Sequence, residues 1–196
     1  MMYGCTNKML RVNLDKEEIR VEEIDKSLQG NFIGGRGIAI KVFEGEVARS
    51  CYPTDPENKL IISSGALTGT GAVSSAIGYV VSRSPLTGAI TCGRIRGHFP
   101  AEMKFSGFDV IIIEGKCEHP VILTVNEGRA SLKSALQYRG RTTSQTEQLI
   151  KKELNDDWAA RETYMLAVGA AGETLANIST IVSEGNVVSG GQGLAQ

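Results

Sequence analysis

Alternation of apolar and polar residues opens the chain. Residues 9–14 (Met9-Leu10-Arg11-Val12-Asn13-Leu14) alternate, Asp15-Lys16-Glu17 supplies a turn, and residues 18–24 alternate again. Period two with charge on one side predicts a half-exposed antiparallel hairpin. Gly34-Gly35-Arg36-Gly37 then opens into the apolar run 38–43, which predicts a loop feeding a helix. Leu60-Ile61-Ile62 predicts a buried strand ending in Gly65-Ala66-Leu67-Thr68-Gly69-Thr70-Gly71. A second strand is expected over 79–82, stopped by Ser84-Pro85-Leu86-Thr87-Gly88. A short one over 89–92 leads into Gly93-Arg94-Ile95-Arg96-Gly97-His98, which reads as a glycine-bounded loop. Residues 100–105 predict one or two helical turns, since proline suits a first turn. Residues 109–114 (Asp109-Val110-Ile111-Ile112-Ile113-Glu114) form the clearest interior strand.

A second hairpin is expected from 121–125 and 130–133, with Asn126-Glu127-Gly128 as its turn. The clearest helix runs from about 146 to 154; Ser144 with Glu147 fits a capping box, and Leu149, Ile150 and Leu154 line one stripe. Strands are expected over 164–168, ending in Gly169-Ala170-Ala171-Gly172, and over 177–182. The order hairpin, helix, strand, strand occurs twice. That order predicts an α+β fold of two similar halves, about 1–105 and 106–196, with mainly antiparallel sheets and a few helices. Chance similarity of short hairpins is the other explanation.

Composition narrows the function. The chain has 196 residues, 21 basic and 22 acidic side chains and a net charge of -1, so it offers no broad basic face for nucleic acid. Its 41% hydrophobic content argues against disorder. No apolar run reaches the ~18 residues of a spanning helix, and residues 1–7 lack the apolar stretch of a secretory signal. A soluble, cytoplasmic protein with no membrane partner is expected. Cys5, Cys51, Cys92 and Cys117 are scattered without a C-x-x-C, so neither a metal site built from this chain alone nor a disulfide framework is expected.

Candidate chemistry rests on three glycine-rich stretches, 65–71, 93–97 and 185–193. Glycine lets backbone approach a ligand, and successive free N–H groups make concave anion sites. Arg94 and Arg96 add guanidinium groups suited to bidentate phosphate recognition. Glycines that merely join short strands are the plainer explanation. No P-loop and no dinucleotide fingerprint is present. His98, beside the arginines, is either ligand-facing or a packing histidine; His119, before Pro120, is incidental. No acid–base pair follows from carboxylate spacing.

Taken in order, several motifs resemble the start of the tungsten-containing aldehyde ferredoxin oxidoreductases. They are Arg11-Val12-Asn13-Leu14, Gly34-Gly35-Arg36-Gly37, Glu57-Asn58-Lys59-Leu60-Ile61, Leu67-Thr68-Gly69-Thr70 and Ser84-Pro85-Leu86-Thr87-Gly88. The series continues with Glu102-Met103-Lys104-Phe105-Ser106-Gly107-Phe108-Asp109, Glu114-Gly115-Lys116 and Gly169-Ala170-Ala171-Gly172-Glu173. The resemblance runs over essentially the whole chain. It implies a duplicated α+β N-terminal domain that forms the base for a tungsten (or molybdenum) bis-pterin cofactor. It also implies that missing C-terminal domains complete the pocket and carry a 4Fe-4S cluster, and that the full enzyme oxidises aldehydes to acids and passes electrons to ferredoxin. The chain alone is then expected to be inactive and to bind no cofactor. An exposed apolar face, normally covered, would favour homo-oligomers.

Residue by residue, the resemblance transfers with departures. The place of a family arginine holds Ile77. The place of an asparagine that helps hold an ion bridging the pterin phosphates holds Arg94, and that of a glycine pair holds Arg96 and Gly97. An arginine and a small residue whose carbonyl reaches the same ion are replaced by Val187 and Val188. Guanidinium has no acceptor, so Arg94 cannot coordinate a cation but could replace it by pairing with the phosphates. The expected cofactor-binding set is Arg94, Arg96, Gly97, Val188 and Gly190. Two functions stay open: a cofactor-seating domain, or a non-catalytic homologue acting as an anion-binding or assembly domain.

Overall fold

A computed structural model describes residues 4–188. The expected first hairpin forms as β1 (Lys8–Asn13) and β2 (Glu18–Glu23), paired antiparallel from Lys8↔Glu23 to Asn13↔Glu18. Helix α1 (Lys26–Phe32) follows, its N-terminus capped by the Asp25 carboxylate, which accepts the N–H groups of Ser27 and Leu28. No apolar period announced this helix. The expected helix forms as α2 (Gly35–Glu46), but it starts earlier than expected, taking in Gly35, Arg36 and Gly37 of the predicted loop; it buries Ile38, Ala39, Val42 and Phe43, one stripe at helical spacing.

Next come β3 (Lys59–Ser64), β4 (Ile77–Arg83), β5 (Ile90–Arg96), α3 (Phe99–Phe105) and β6 (Val110–Glu114). One correction concerns the stretch 93–97, expected as a glycine loop. Gly93, Arg94, Ile95 and Arg96 continue β5, with Gly93 opposite Val80 and Arg96 opposite Ile77. Glycine here does not turn the chain; it occupies a buried ladder position.

β1 to β6 make one sheet in the order β2-β1-β6-β3-β4-β5, in which only β1 and β6 run parallel. Both faces are covered, so Ile61 and Ile62 are both buried. One face packs Leu10, Val12, Ile62, Val80, Ile95 and Ile111 with Met103, Phe108, Ile181 and Val188. The other packs Ile61, Val81, Val110 and Ile112 under α2.

β7 (Val121–Asn126) and β8 (Arg129–Ser134) form the second hairpin. Helix α4 (Thr143–Glu153) starts earlier than expected because the capping box uses Thr142 and Gln145, not Ser144 and Glu147. After α5 (Asp157–Arg161), β9 (Leu166–Ala167), α6 (Ala170–Glu173), β10 (Val182–Ser183) and β11 (Asn186–Val187) complete the described chain. The strands expected over 164–168 and 177–182 shrink to the two-residue β9 and β10, and Ala170-Ala171-Gly172 is helical. After the second hairpin the order is α4, α5, β9, α6, β10, and β6, from the expected second half, lies inside the sheet of the first, while β7-β8 and β11-β10-β9 are separate sheets. The molecule is a mixed α+β fold with mainly antiparallel sheets and a few helices. Among the described residues no helix is long and apolar enough to cross a membrane.

Candidate functional site

Alternation along β5 places Cys92, Arg94 and Arg96 on one face of the sheet, opposite Val81, Tyr79 and Ile77 in register. This is the α2 face. The N-terminus of α2 arrives beside it: a Cβ on Gly35 would stand 3.5 Å from the Tyr79 ring. Arg36, in the first turn of α2, joins Arg94 in drawing down the Cys92 thiol, although burial outweighs both and leaves that thiol above its ordinary range. Arg36, Arg94 and Arg96 are all exposed and form no ion pair among the described residues. The α2 N-cap, Gly34, supplies no side-chain acceptor to the amides that follow it. Three cationic heads and an uncapped helix end therefore share one end of one sheet face. In the sequence Arg36 is one residue of a glycine motif; that it and Arg94 both act on the Cys92 thiol is a tertiary fact.

Gly97 follows directly. Its φ of 102° is a glycine conformation, and a Cβ there would stand 2.7 Å from Glu184 Oε1. Glu184 and Gly185, both at positive φ, form the β10–β11 turn, the geometry of a tight two-residue hairpin loop. Glu184 Oε1 accepts the backbone N–H of His98 at 2.6 Å and of Phe99 at 3.0 Å, while Oε2 lies 3.0 Å from His98 Nδ1. Hydrogen bonding and attraction from this carboxylate hold the His98 imidazole above its ordinary range. Burial alone would raise Glu184, but bonds from His98 and the two amides outweigh it and keep the carboxyl low. His98 also stacks on Tyr164, with centroids 4.8 Å apart. The pair borders an open cleft of about 580 Å³ whose other wall is the α4 stripe Ser144, Glu147, Gln148 and Lys151. The amides after Gly97 thus already hold an anion, the molecule's own.

The remaining expected residues are placed as follows. Val188 is 2% exposed in the core on the sheet face opposite Arg94 and Arg96, and its N–H donates to Ile181 O at 2.9 Å. Gly190 lies outside the described residues. Ile77, in the place of a family arginine, opens β4 opposite Arg96. The glycine stretch 65–71 joins this end through Thr68, whose hydroxyl accepts Gly65 N–H at 3.1 Å and donates to Ile77 O at 2.9 Å.

A buried lysine at this end was not singled out in the sequence. Lys104 is 7% exposed, and its Nζ donates to the carbonyls of Gly4 (2.6 Å), Gly65 and Ala66 (3.3 Å), with Asp109 Oδ1 at 3.8 Å. Burial draws this ammonium below its ordinary range, against the pull of Asp109. The available signal was one lysine between Met103 and Phe105 in a motif otherwise read only for resemblance.

The donor set suits an anionic ligand. Three guanidinium groups can grip phosphate oxygens, whereas Arg94 offers a cation nothing. Among the described residues no group of three His, Cys, Asp or Glu side chains could hold a metal ion. All four cysteines are free thiols, each held above its ordinary range chiefly by burial.

Comparison with known proteins agrees with this architecture. Residues 9–196 match the model of the aldehyde ferredoxin oxidoreductase N-terminal domain. The chain is 38% identical over 193 residues to the tungsten-containing aldehyde ferredoxin oxidoreductase of Pyrococcus furiosus, covering 98% of this chain and 31% of that protein. It is 27% identical over 196 residues to the aliphatic sulfonate oxidoreductase, WOR-like subunit, of the same organism, covering 93% of this chain and 31% of that one. Among solved structures, the active site complex BamBC of benzoyl coenzyme A reductase, in complex with 1,5-dienoyl-CoA, superposes with a TM-score of 0.94 at 30% identity, over 100% of this chain and 29% of the other. The chain spans about a third of the length of the relatives it matches. With the family model covering nearly all of it, the chain belongs to the aldehyde ferredoxin oxidoreductase N-terminal domain family.

Proposed function

We propose that this domain seats the phosphate-bearing tails of a tungsten (or molybdenum) pterin cofactor in an aldehyde ferredoxin oxidoreductase-like enzyme. The observation that carries the reading is the trio Arg36, Arg94 and Arg96, without an ion pair among the described residues, beside the uncapped start of α2. Arg94 and Arg96 bind phosphate oxygens in bidentate fashion, and Arg36 with the α2 amides adds positive potential from the neighbouring element. Gly97, the residue after Arg96, contributes backbone at the strand end; Val188 spends its N–H on Ile181 O, and Gly190 lies outside the described residues. When bound, the cofactor supplies the redox chemistry that takes aldehyde to acid; this chain supplies placement and charge neutralisation. A 4Fe-4S cluster, ferredoxin docking and the substrate pocket belong to segments outside this chain.

The same domain is shared by proteins named for aldehydes, for sulfonates and for benzoyl coenzyme A. Substrate choice is therefore assigned to the segments outside it. Titration of the isolated domain with inorganic pyrophosphate tests the seat. Binding that weakens with salt and drops at least tenfold in the Arg94→Ala, Arg96→Ala double variant supports it; unaltered binding in that variant removes it. Co-expression with the C-terminal region, followed by tungsten, molybdenum and pterin analysis, tests the enzyme context.

A second reading has its own support. Ile77 is neutral, Val188 is core, and Glu184 already fills the space beside Gly97. On this reading the chain is a non-catalytic anion-binding or assembly domain, and the assembled protein contains neither metal nor pterin.

A further inference from the structure

We infer that Lys104 is a positioning residue that sets the three arginines relative to one another; this rests on the reading of that trio as an anion seat. Lys104 touches none of the three. It acts through the turn at Gly65 and Ala66, whose two successive carbonyls both converge on its Nζ. One ammonium with three donors thereby fixes the orientation of two consecutive peptide groups.

That turn is wedged between both carriers of the arginines. On one side it meets α2: a Cβ on Gly34 would stand 3.2 Å from Ala66 N and 3.3 Å from Gly65 Cα. Gly34 is the N-cap of the helix whose second residue is Arg36. On the other side it meets β4: Thr68, 2% exposed, bonds Gly65 N–H and the Ile77 carbonyl, and Ile77 is the register partner of Arg96. The bond to Gly4 O and the nearby Asp109 carboxylate, which accepts Asn7 N–H at 2.8 Å, anchor the ammonium from the N-terminal segment and the start of β6. Displacing the turn would move α2 against the β4–β5 pair, and with them Arg36 against Arg94 and Arg96.

The test uses amide hydrogen exchange and pyrophosphate titration on wild type, Lys104→Met and Lys104→Arg. Methionine keeps the stem and loses the donors; arginine keeps donors and charge. Expected in Lys104→Met is at least a tenfold rise in exchange over 64–70, 34–37 and 77–79, unchanged protection in the β1–β2 and β7–β8 hairpins, at least tenfold weaker pyrophosphate binding, and partial recovery of both in Lys104→Arg. Exchange that rises evenly along the chain, or stays unchanged over 64–70, overturns the inference, as does full pyrophosphate affinity in Lys104→Met. Should the single variant fail to fold, Lys104→Met with Asp109→Asn removes both charges and is read by the same criteria. Absence of pyrophosphate binding to wild type with the local exchange pattern intact would overturn the anion seat and leave Lys104 as the organiser of the arginine trio.

Discussion

Glu184 reaches from its hairpin turn into the space that Gly97 leaves by having no side chain, and its carboxylate there takes the N–H groups of His98 and Phe99. The contact joins residues 86 positions apart (His98 and Glu184) and ties the three-stranded sheet to the start of α3.

Gly97→Ala should therefore destabilise the domain through both its positive φ and the collision with Glu184. Strained backbone of this kind costs about 1–3 kcal/mol. For a chain this size each kcal/mol lowers Tm by roughly 2–4 °C. Thermal unfolding of Gly97→Ala, Glu184→Ala and the double variant measures the coupling: the alanine should cost less once Glu184 is gone. Additive losses would mean that the two residues do not share this space.

The His98–Glu184 pair makes a stability contribution with a definite sign. The His98 pKa is raised in the fold by the carboxylate. Its contribution is fully present below the unfolded value near 6.5 and is lost as pH rises through the folded value. The difference in Tm between wild type and His98→Gln should shrink from pH 6 towards pH 8.5, and the imidazole should titrate above 6.5 by NMR. A difference that grows with pH would contradict the pairing.

Arg11 links Glu22, Glu46 and Glu114 across β1, β2, α2 and β6, and Lys59 adds contacts to Glu46 and Glu114. Burial alone would raise Glu46 and Glu114, but Arg11, Lys59 and, at Glu114, the Asn13 amide outweigh it, and both carboxyls sit below their ordinary range. Their contribution is present above the unfolded value near 4.3 and is lost as pH falls through the lower folded values. Glu114→Gln should cost about 1–3 kcal/mol at pH 7, less than a fully buried pair because the group is partly solvated. Urea unfolding from pH 7 to pH 3 should show the gap to wild type closing in acid.

An apolar patch lies on the glycine end of the sheet. Leu67 and Val73 stand exposed on the β3–β4 loop, and exposed Phe105 packs against Gly69 of the same loop. We expect the isolated chain to self-associate through this face at high concentration, as uncovered apolar surface does. Sedimentation velocity should show the association weakening in Leu67→Ser with Val73→Ser. An unchanged monomer at all concentrations would remove the patch as a contact.

Much of the fold was legible where one residue's neighbours in sequence are also its neighbours in function. Alternation marked β1 and β2, the glycine cluster marked the start of α2, and unbroken apolar residues marked β3 and β6. Failures arose where two local signals competed. Thr142-x-x-Gln145 and Ser144-x-x-Glu147 both fit a capping box, and the fold uses the first. Gly93 reads as a breaker but is a ladder residue opposite Val80; Gly78, nearby, is small because Pro100 lies where its Cβ would be, at 3.0 Å. Close packing from another element is invisible in a local window.

The candidate site divides the same way. Hydrophobic pattern, composition and motif order by themselves determined that the chain is an α+β domain with a net charge of only -1, that Arg94 and Arg96 lie two apart, and that the whole series resembles one family. Two-residue spacing puts both heads on one face only because the stretch, expected as a glycine loop, continues β5. Only the tertiary structure decided which face, since that depends on β4 and β5 pairing at the sheet edge and on α2 covering one side. It alone brought Arg36 to them, put Val188 on the far side, and gave the His98 and Phe99 amides to Glu184. Contacts spanning 40 to 100 residues carry no periodic signature, because the energy that selects them is burial and charge pairing summed over segments that the sequence keeps apart.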